Sequence, residues 1–444
     1  MTQDQFIKDV LQAAKTAGIE QAEAYAVANE SMRMMVNKGS LDDYSVSSSG
    51  RLSLRGLVNG KMGTAYTEAL DEAAIAMLVD NVLQSAALIT DEDEQFIFAG
   101  SPAYEKVESA GDLGTPAQRI DLALALDQVG RNLNPLVQDL AYTMVQTIRQ
   151  TVRIANTHGL DLAHSMEAAV AYVAAVARRD ERVTTGGKQA AKFALSELSP
   201  EEIAGAAVEQ AVFMLDAAPC ESGARPVILN REAMSSLLAV FSGIFSAEAA
   251  QKGLSLLNGK EGETIAAPCV TLIDDPLMQG GFASQPFDGE GVATYTKPVI
   301  ENGVLKTLLH NLKTAKKAGC ASTGNATRGV DGGTVSVAPS NFFFQPGDKD
   351  LPALMAAMGN GLVITEVSGL HAGADAVSGD FSLLSEGYLV ENGCKGRPVE
   401  QVTVAGNFFQ LLKDIVEVGS DLVPEGDGVM SPSVWVRELS VAGK

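Results

Sequence analysis

The 444-residue sequence lacks long apolar runs, excess positive charge, paired cysteines and the common nucleotide and nucleophile signatures. No apolar stretch approaches the roughly 20 residues that a membrane-spanning helix needs. The opening "MTQDQFIKDVLQ" has no basic segment followed by an apolar one, so a cytoplasmic protein without a membrane role is expected. Lys and Arg total 33 against 55 Asp and Glu, a net charge of −22. Such a surface repels phosphate backbones, which argues against direct nucleic-acid binding. Cys220, Cys269, Cys320 and Cys394 are far apart and form no C-x-x-C pair. That excludes the usual zinc knuckle and disulfide framework and leaves buried free thiols as the expectation. There is no G-x-x-x-x-G-K-[ST], no G-x-S-x-G, and no G-x-G-x-x-G between a strand and a helix,. The four histidines, His158, His164, His310 and His371, have no partner three to five residues away, as a helical zinc site would require. His158, in "NTHG", is expected in a turn.

What is present reads as globular: 46% hydrophobic and 20% charged residues, in a chain long enough for two or three units. Residues 4–15 place Phe6, Ile7, Val10, Leu11 and Ala14 on one helical stripe, with Gly18 as a stop. Alternating segments follow, and Asn59-Gly60 reads as a tight hairpin turn. A second helix over about 70–86 carries Ala74, Met77, Leu78 and Val82 on one face. The acidic, Gly/Pro/Ser-containing "DEDEQFIFAGSPAYEKVESAGDLG" loses periodicity and marks a connector. Thr115-Pro116 opens a helix, strands follow, and Ser199 with Glu202 forms a capping box before a further helix. After "ESGARP" the chain is strand-rich, with hairpin signals at Asn258-Gly259, Asn302-Gly303 and Asn392-Gly393. The expected fold is α+β: α/β modules with small antiparallel sheets over 1–110 and 111–222, then a β-rich unit over 223–444 built on a large curved sheet or barrel.

Acid pairs are the commonest candidate chemistry. Asp274-Asp275 reads as strand termination and turn. Asp288 and Glu290, in "PFDGEG", can cap backbone amides or line a pocket, and Asp380 and Glu386 flank an aromatic strand. The stretch "SSLLAVFSGIFS", 235–246, reads as a short helix without chemistry. At about 100° per residue, Met234, Leu237, Leu238, Phe241, Ile244 and Phe245 share one face. Ser235, Ser236, Ala239, Ser242 and Gly243 make the other face small rather than charged, as if it meets another backbone or borders a cavity.

From end to end the sequence resembles the TldD/PmbA family, also called candidate modulators of DNA gyrase and classed as metallopeptidases. The likeness is carried by "NKGSLDDYSVSSSGRLSLRGLVNGKMGTAYT", "VRIANTHG", "PFDGEGVATYTKPVIENGVLKTLLHN", "STGNATRG" and "SGDFSLLSEGYLVENGCKGRPVEQVTVAGN" in collinear order. In the TldD-like branch an H-E-x-x-x-H helix and a later cysteine hold zinc. The resemblance places those three helix positions on Ala239, Val240 and Ile244, none of which offers a donor or a base. A spacing of i, i+5 also rotates two ligands by about 140°, so the helix should distort or end there. Cys394, after Asn392-Gly393, resembles the hairpin segment of the PmbA branch, which has no metal duty.

The resemblance therefore implies a PmbA/TldE-type subunit of a cytoplasmic metalloprotease acting on small unfolded peptides. It would hold no cofactor itself, zinc being expected only in a TldD-like partner, and would work as a heterodimer or homodimer. Asp288, Glu290, His371 and Asp380 are its candidate cavity contacts. Two alternatives remain: a self-associating regulatory or binding protein without a peptidase partner, and an enzyme with a different site around His371 and the Asp380 strand.

Overall fold

The computed structural model describes residues 1–90, 93–329, 332–424, 426 and 428–444. Asp91 and Glu92, at the start of the expected connector, lie outside the described residues. Helix α1 (Gln3–Thr16) buries Phe6, Ile7, Val10 and Ala14, and Gly18 ends the segment at φ +83°. The alternating segments that follow form long strands: β1 (Gln21–Asn37), β2 (Ser40–Val58) and β3 (Lys61–Thr67). Next come α2 (Glu72–Leu88), α3 (Pro116–Asn132), β4 (Val137–Asn156), β5 (Asp161–Arg179), β6 (Arg182–Lys192) and α4 (Pro200–Phe213).

Strands β1 to β6 make a single antiparallel sheet, ordered β3-β2-β1-β4-β5-β6, that runs through residues 1–110 and 111–222. Period-2 alternation sorts its faces. Ala22, Ala24, Ala26, Leu52 and Leu54 point at α1 and α2, while Val145, Ala169, Ala171, Val173 and Ala175 point at α3 and α4. In α2 the buried stripe is Ala74, Leu78, Val82 and Ala86; Met77, about 100° off that stripe, is exposed,.

Helix α3 starts as the sequence directs, with Pro116 in the first turn and a reciprocal capping box between Thr115 and Gln118,. Replacing Thr115 by alanine is expected to lower stability by about 1 kcal/mol. A urea-denaturation midpoint indistinguishable from the parent would contradict it. In α4 only half of the expected box forms: Ser199 accepts from the Glu202 amide at 3.3 Å, while its hydroxyl turns to Glu201.

The C-terminal half closes into a barrel. Strand β7 (Gly223–Leu229) pairs in parallel with Gly361–Ser368, which leads antiparallel through Asp380–Glu391 to Cys394–Asn407. Val434–Ala442 joins both β7 and Cys394–Asn407, so five strands close on themselves. Two-residue turns with both φ values positive occur at Asn59-Gly60, Asn302-Gly303 and Asn392-Gly393, the left-handed geometry that Asn-Gly favours. Asn258-Gly259 is a turn but joins no strands, and only Gly259 has positive φ. Of the four thiols, all free, only Cys220 is buried; Cys269, Cys320 and Cys394 are exposed, contrary to the expectation of buried cysteines. Each of those three lies at an element end or in a loop, where no core surrounds it.

Among the described residues no helix is long and apolar enough to cross a membrane.

Candidate functional site

The stretch that the resemblance sets at the zinc position forms helix α5 (Arg231–Phe241), capped by Asn230 accepting from the Ala233 amide. Its apolar face is core: Phe241 stacks on Phe408 at 4.5 Å and meets Phe381 edge-on at 6.3 Å, and Phe245 meets Phe342 at 5.5 Å. After Phe241 the chain tightens into a 3-10 turn, Ser242–Phe245, so the two expected ligand positions do not lie on one regular helix. Ala239 is exposed, Val240 packs against the core as a partly buried side chain, and Ile244 is within the core. The small face does both things its composition suggested. Ser235 Oγ accepts from the Ser431 amide at 2.8 Å, and a cavity of about 280 Å³ opens beside Arg231, Ser235, Ser236 and Ser431.

The side chains at these positions can be set against the donors zinc requires. Methyl, isopropyl and sec-butyl groups have no lone pair for the ion, and no histidine in the chain is followed by glutamate. Among the described residues no three His, Cys, Asp or Glu side chains converge as a metal cluster. The residues at 239, 240 and 244 do not fit the group.

A second region gathers charge instead. The face of the N-terminal sheet opposite α1 and α2 carries Glu23, Tyr25, Val27 and Asn29 of β1, Ser53 and Arg55 of β2, Gln150 and Val152 of β4, and His164 of β5. Register sets Glu23 opposite Arg55, Val27 opposite Val152, Asn29 opposite Gln150, and Val152 opposite His164. Loops of the C-terminal half lie over this face. Two neighbouring cavities of about 490 and 220 Å³ remain between them. The larger is lined by Tyr25, Asn29, Arg51, Gln150 and Arg328 among others, the smaller by Tyr25, Gln150, His164, Phe287 and Asp288.

A buried ionic network forms the floor. Glu23 Oε1 receives Arg55 at 3.0 Å and also Arg328, leaving Glu23 Oε2 without a hydrogen-bond partner among the described residues. Arg55 reaches on to Glu290 at 3.6 Å, and Glu290 Oε2 accepts from the Leu312 amide at 2.9 Å. Arg328 lies over the Tyr25 ring at 4.7 Å and donates to the carbonyls of Gly289 at 2.6 Å and Gly332 at 3.2 Å. Burial, then the neighbouring Arg55, holds its pKa below the usual guanidinium range. Gly332 is glycine for a reason: φ is +69°, and a Cβ would sit 2.9 Å from Ser53 Oγ, which donates to the Gly332 carbonyl,.

Asp288 is fully committed to the backbone. Its Oδ1 accepts from the amides of Glu290 and Val292, and its Oδ2 from that of Ala326. Burial and the adjacent Glu290 carboxylate outweigh those three donors and push its pKa up to about 7,. The connector clamps the same loop: Tyr104 donates to the Gly291 carbonyl at 2.9 Å, and Ser101 Oγ accepts from the Ala293 amide at 3.0 Å. His164 Nε2 lies 3.1 Å from the Ser284 carbonyl and 3.3 Å from Ser109 Oγ. Burial lowers its pKa, and a carbonyl partner requires the proton on Nε2,.

The structure thus brings Asp288 and Glu290 together under the cleft, Asp288 also lining its wall. His371 and Asp380 belong to the barrel, are exposed, and line neither cavity. Asp380 accepts from Asn407 at 2.9 Å. Asp274 closes a different buried pair with Lys297 at 2.8 Å, and Asp275 caps the Leu277 amide in the turn that follows. His158 lies in the turn between β4 and β5. Sequence reasoning missed Glu23, Tyr25, Arg55, His164 and Arg328. A signal for Glu23 and Arg55 exists: each is a lone charge within the apolar stretches "AEAYAVA" and "LSLRGLV". Among the described residues the acids of the cleft are tied to backbone and arginine.

The PmbA/TldA metallopeptidase domain 1, central domain and C-terminal domain match residues 22–86, 115–215 and 222–443. A metalloprotease of Methanothermobacter thermautotrophicus is 34% identical over 55% of this chain and 56% of its own length. The metalloprotease PmbA of Escherichia coli O157:H7 is 26% identical over 91% of this chain and 88% of its own. A crystal structure of a candidate modulator of a DNA gyrase from Thermotoga maritima superposes with a TM-score of 0.91 at 33% identity, covering 99% of this chain and 100% of that one. TldE from Thermococcus kodakarensis shares the fold, with a TM-score of 0.90 at 21% identity over 99% and 100% of the two chains. Three matched domains in order, with the Thermotoga likeness running the whole length, place this chain in the PmbA/TldD metallopeptidase family.

Proposed function

We propose that this chain is a PmbA/TldE-type subunit that lacks its own zinc site and works with a zinc-bearing, TldD-like partner in a cytoplasmic metalloprotease acting on small unfolded peptides. What supports this reading is that the positions the resemblance assigns to the zinc motif hold Ala239, Val240 and Ile244, none a metal donor, with Ile244 committed to core packing,. Hydrolysis then belongs to the partner, and this chain contributes walls, including the cleft between its sheet and the 282–292 and 325–329 loops. An extended peptide suits so sheet-rich a chain, because an open strand edge pairs with its main chain without reading its sequence.

The test mixes the purified chain with a TldD-like protein that carries H-E-x-x-x-H. The expected result is a stable complex that cleaves unfolded peptides, while this chain alone binds no stoichiometric zinc and cleaves nothing. Stoichiometric zinc with hydrolysis in the isolated chain overturns the reading. So does failure of every such partner to associate.

A further inference from the structure

The cleft above the ionic floor contains a short strand edge. Strand Ala326–Arg328 pairs antiparallel with Val335–Val337. The bonds that flank this pairing fix its phase: the Gly329 amide donates to the Thr334 carbonyl at 2.9 Å, and the Ala338 amide to the Asn325 carbonyl at 3.1 Å. Antiparallel strands exchange bonds at every second residue. Thr327 therefore bonds to Ser336, while the N–H and C=O groups of Ala326 and Arg328 point away from the hairpin partner. Those of Ala326 are satisfied, its N–H by Asp288 Oδ2 and its C=O by the Gly289 amide at 2.8 Å. Those of Arg328 have no partner among the described residues.

The Arg328 side chain is only 3% exposed, held over Tyr25 and onto Glu23. The residue as a whole is partly exposed and lines the larger cavity, so what it presents there is main chain. The sheet beneath offers a second donor and acceptor. Gln150 Nε2 donates to Asn29 Oδ1 at 2.9 Å, which leaves the Asn29 amide nitrogen to donate and Gln150 Oε1 to accept. Beside this pair the floor is apolar, with Tyr25, Val27 and Val152; Tyr25 and Val152 continue into the smaller chamber, where Met166, Phe282 and Phe287 extend the apolar surface. Ser49, Gly50, Glu68 and Gly329 are exposed at the rim, so the larger chamber opens to solvent. Its volume of about 490 Å³ lies within the range of about 300–1,000 Å³ usual for ligand sites.

We propose that this cleft grips one extended peptide segment by its main chain and selects a large apolar side chain at the gripped residue. The gripped residue pairs with the N–H and C=O of Arg328, as a strand adds to a sheet edge. Its neighbours, whose peptide groups face the other way, meet Asn29 and Gln150. In such pairing the side chain of the gripped residue falls on the same face as that of Arg328, which is turned to the sheet and the Tyr25 ring. An apolar side chain there is covered by Tyr25, Val152 and the smaller chamber. A short polar one leaves that surface wet. The inference rests on the peptide-handling function proposed above and adds where this chain holds the peptide and which residue it prefers.

Calorimetric titration of the isolated full chain with the peptide acetyl-Ser-Ala-Phe-Ala-Ser-amide tests it. No zinc-bearing partner is present, so failure of this site is distinguishable from failure of the subunit reading, which complex formation decides. Saturable binding is expected. Methylating the phenylalanine nitrogen removes the donor to the Arg328 carbonyl and should weaken binding about tenfold, as should Asn29→Leu combined with Gln150→Leu. Glycine in place of the phenylalanine should weaken it several-fold. A p-benzoyl-phenylalanine analogue should crosslink on illumination to residues of the two chambers, such as Val152 or Phe287. Absence of binding overturns the proposal. So does binding indifferent to N-methylation, or crosslinks confined to other surfaces of the chain. Should the double variant fail to fold, the methylated peptide and the crosslink position decide the matter on the parent chain alone.

Discussion

Arg55→Ala is expected to lower the unfolding free energy by about 3–5 kcal/mol, the cost of breaking a buried ion pair by removing one partner. Glu23 is buried with one oxygen unpartnered among the described residues, and its other oxygen depends on Arg55 and Arg328. Without Arg55, among the described residues Arg328 alone faces Glu23, and Glu290 keeps only the Leu312 amide. The loss also falls on the junction of the two halves, since Glu23 and Arg55 belong to the N-terminal sheet and Glu290 and Arg328 to C-terminal loops. Urea denaturation followed by circular dichroism measures the effect. A companion, Glu23→Leu with Arg55→Met, removes both charges; it should recover much of the loss, because the penalty lies in the stranded charge rather than in the missing attraction. If Arg55→Ala costs less than about 1 kcal/mol, comparable to an exposed pair, the network does not hold the halves together.

How much of this was legible in the sequence depended on range. Local signals read well where backbone stereochemistry forces the residue: Asn59-Gly60, Asn302-Gly303 and Asn392-Gly393 adopt positive φ because Asn-Gly tolerates it,. The turn between β1 and β2 uses Lys38-Gly39, also with both φ values positive, and lysine gives no such warning. Asn258-Gly259 shows the converse, a turn signal without strands to join. The lengths of β1 and β2 were hidden because "YSVSSSG" is exposed on both faces and shows no apolar alternation. Helix α5 was readable in its faces, one core and the other small, but it runs over Arg231–Phe241 and gives way to a 3-10 turn rather than continuing to 246.

The cleft was only half readable. Asp288 and Glu290 stand two residues apart in a glycine-flanked loop, a pattern that local reasoning can find. Their setting is long-range: Glu23 meets Arg55 across 32 positions and Arg328 across 305. Composition and periodicity carry no information about such separations. A charge at an inward strand position says that a partner exists, not where it is. The exposed thiols failed for the same reason, because free cysteine is usually buried but only the fold shows which positions are interior.

Replacing Asp288 by asparagine should flatten part of the dependence of stability on pH. In the folded chain the Asp288 pKa is raised from 3.8 to about 7, so the fold prefers the protonated acid. The associated stabilisation is complete below the unfolded pKa near 4 and is lost as pH rises through about 7. A shift of that size corresponds to roughly 4 kcal/mol over the whole window. Asparagine is neutral throughout. It leaves the Ala326 amide short of an acceptor, and should therefore be less stable than the parent by about 1–2 kcal/mol at the acid end. The difference should move in favour of the variant by about 2–3 kcal/mol between pH 5 and pH 8, reversing the order of stability. Paired urea titrations at several pH values cancel the titration of all other groups. A difference independent of pH would mean that three amide donors keep Asp288 ionised throughout. The charge balance of the floor would then be two arginines against three carboxylates at every pH, rather than an even balance on the acid side of neutrality. In the first case, hydrogen exchange of the 288–292 amides should quicken above pH 7, because ionised Asp288 and Glu290 repel each other within one buried loop.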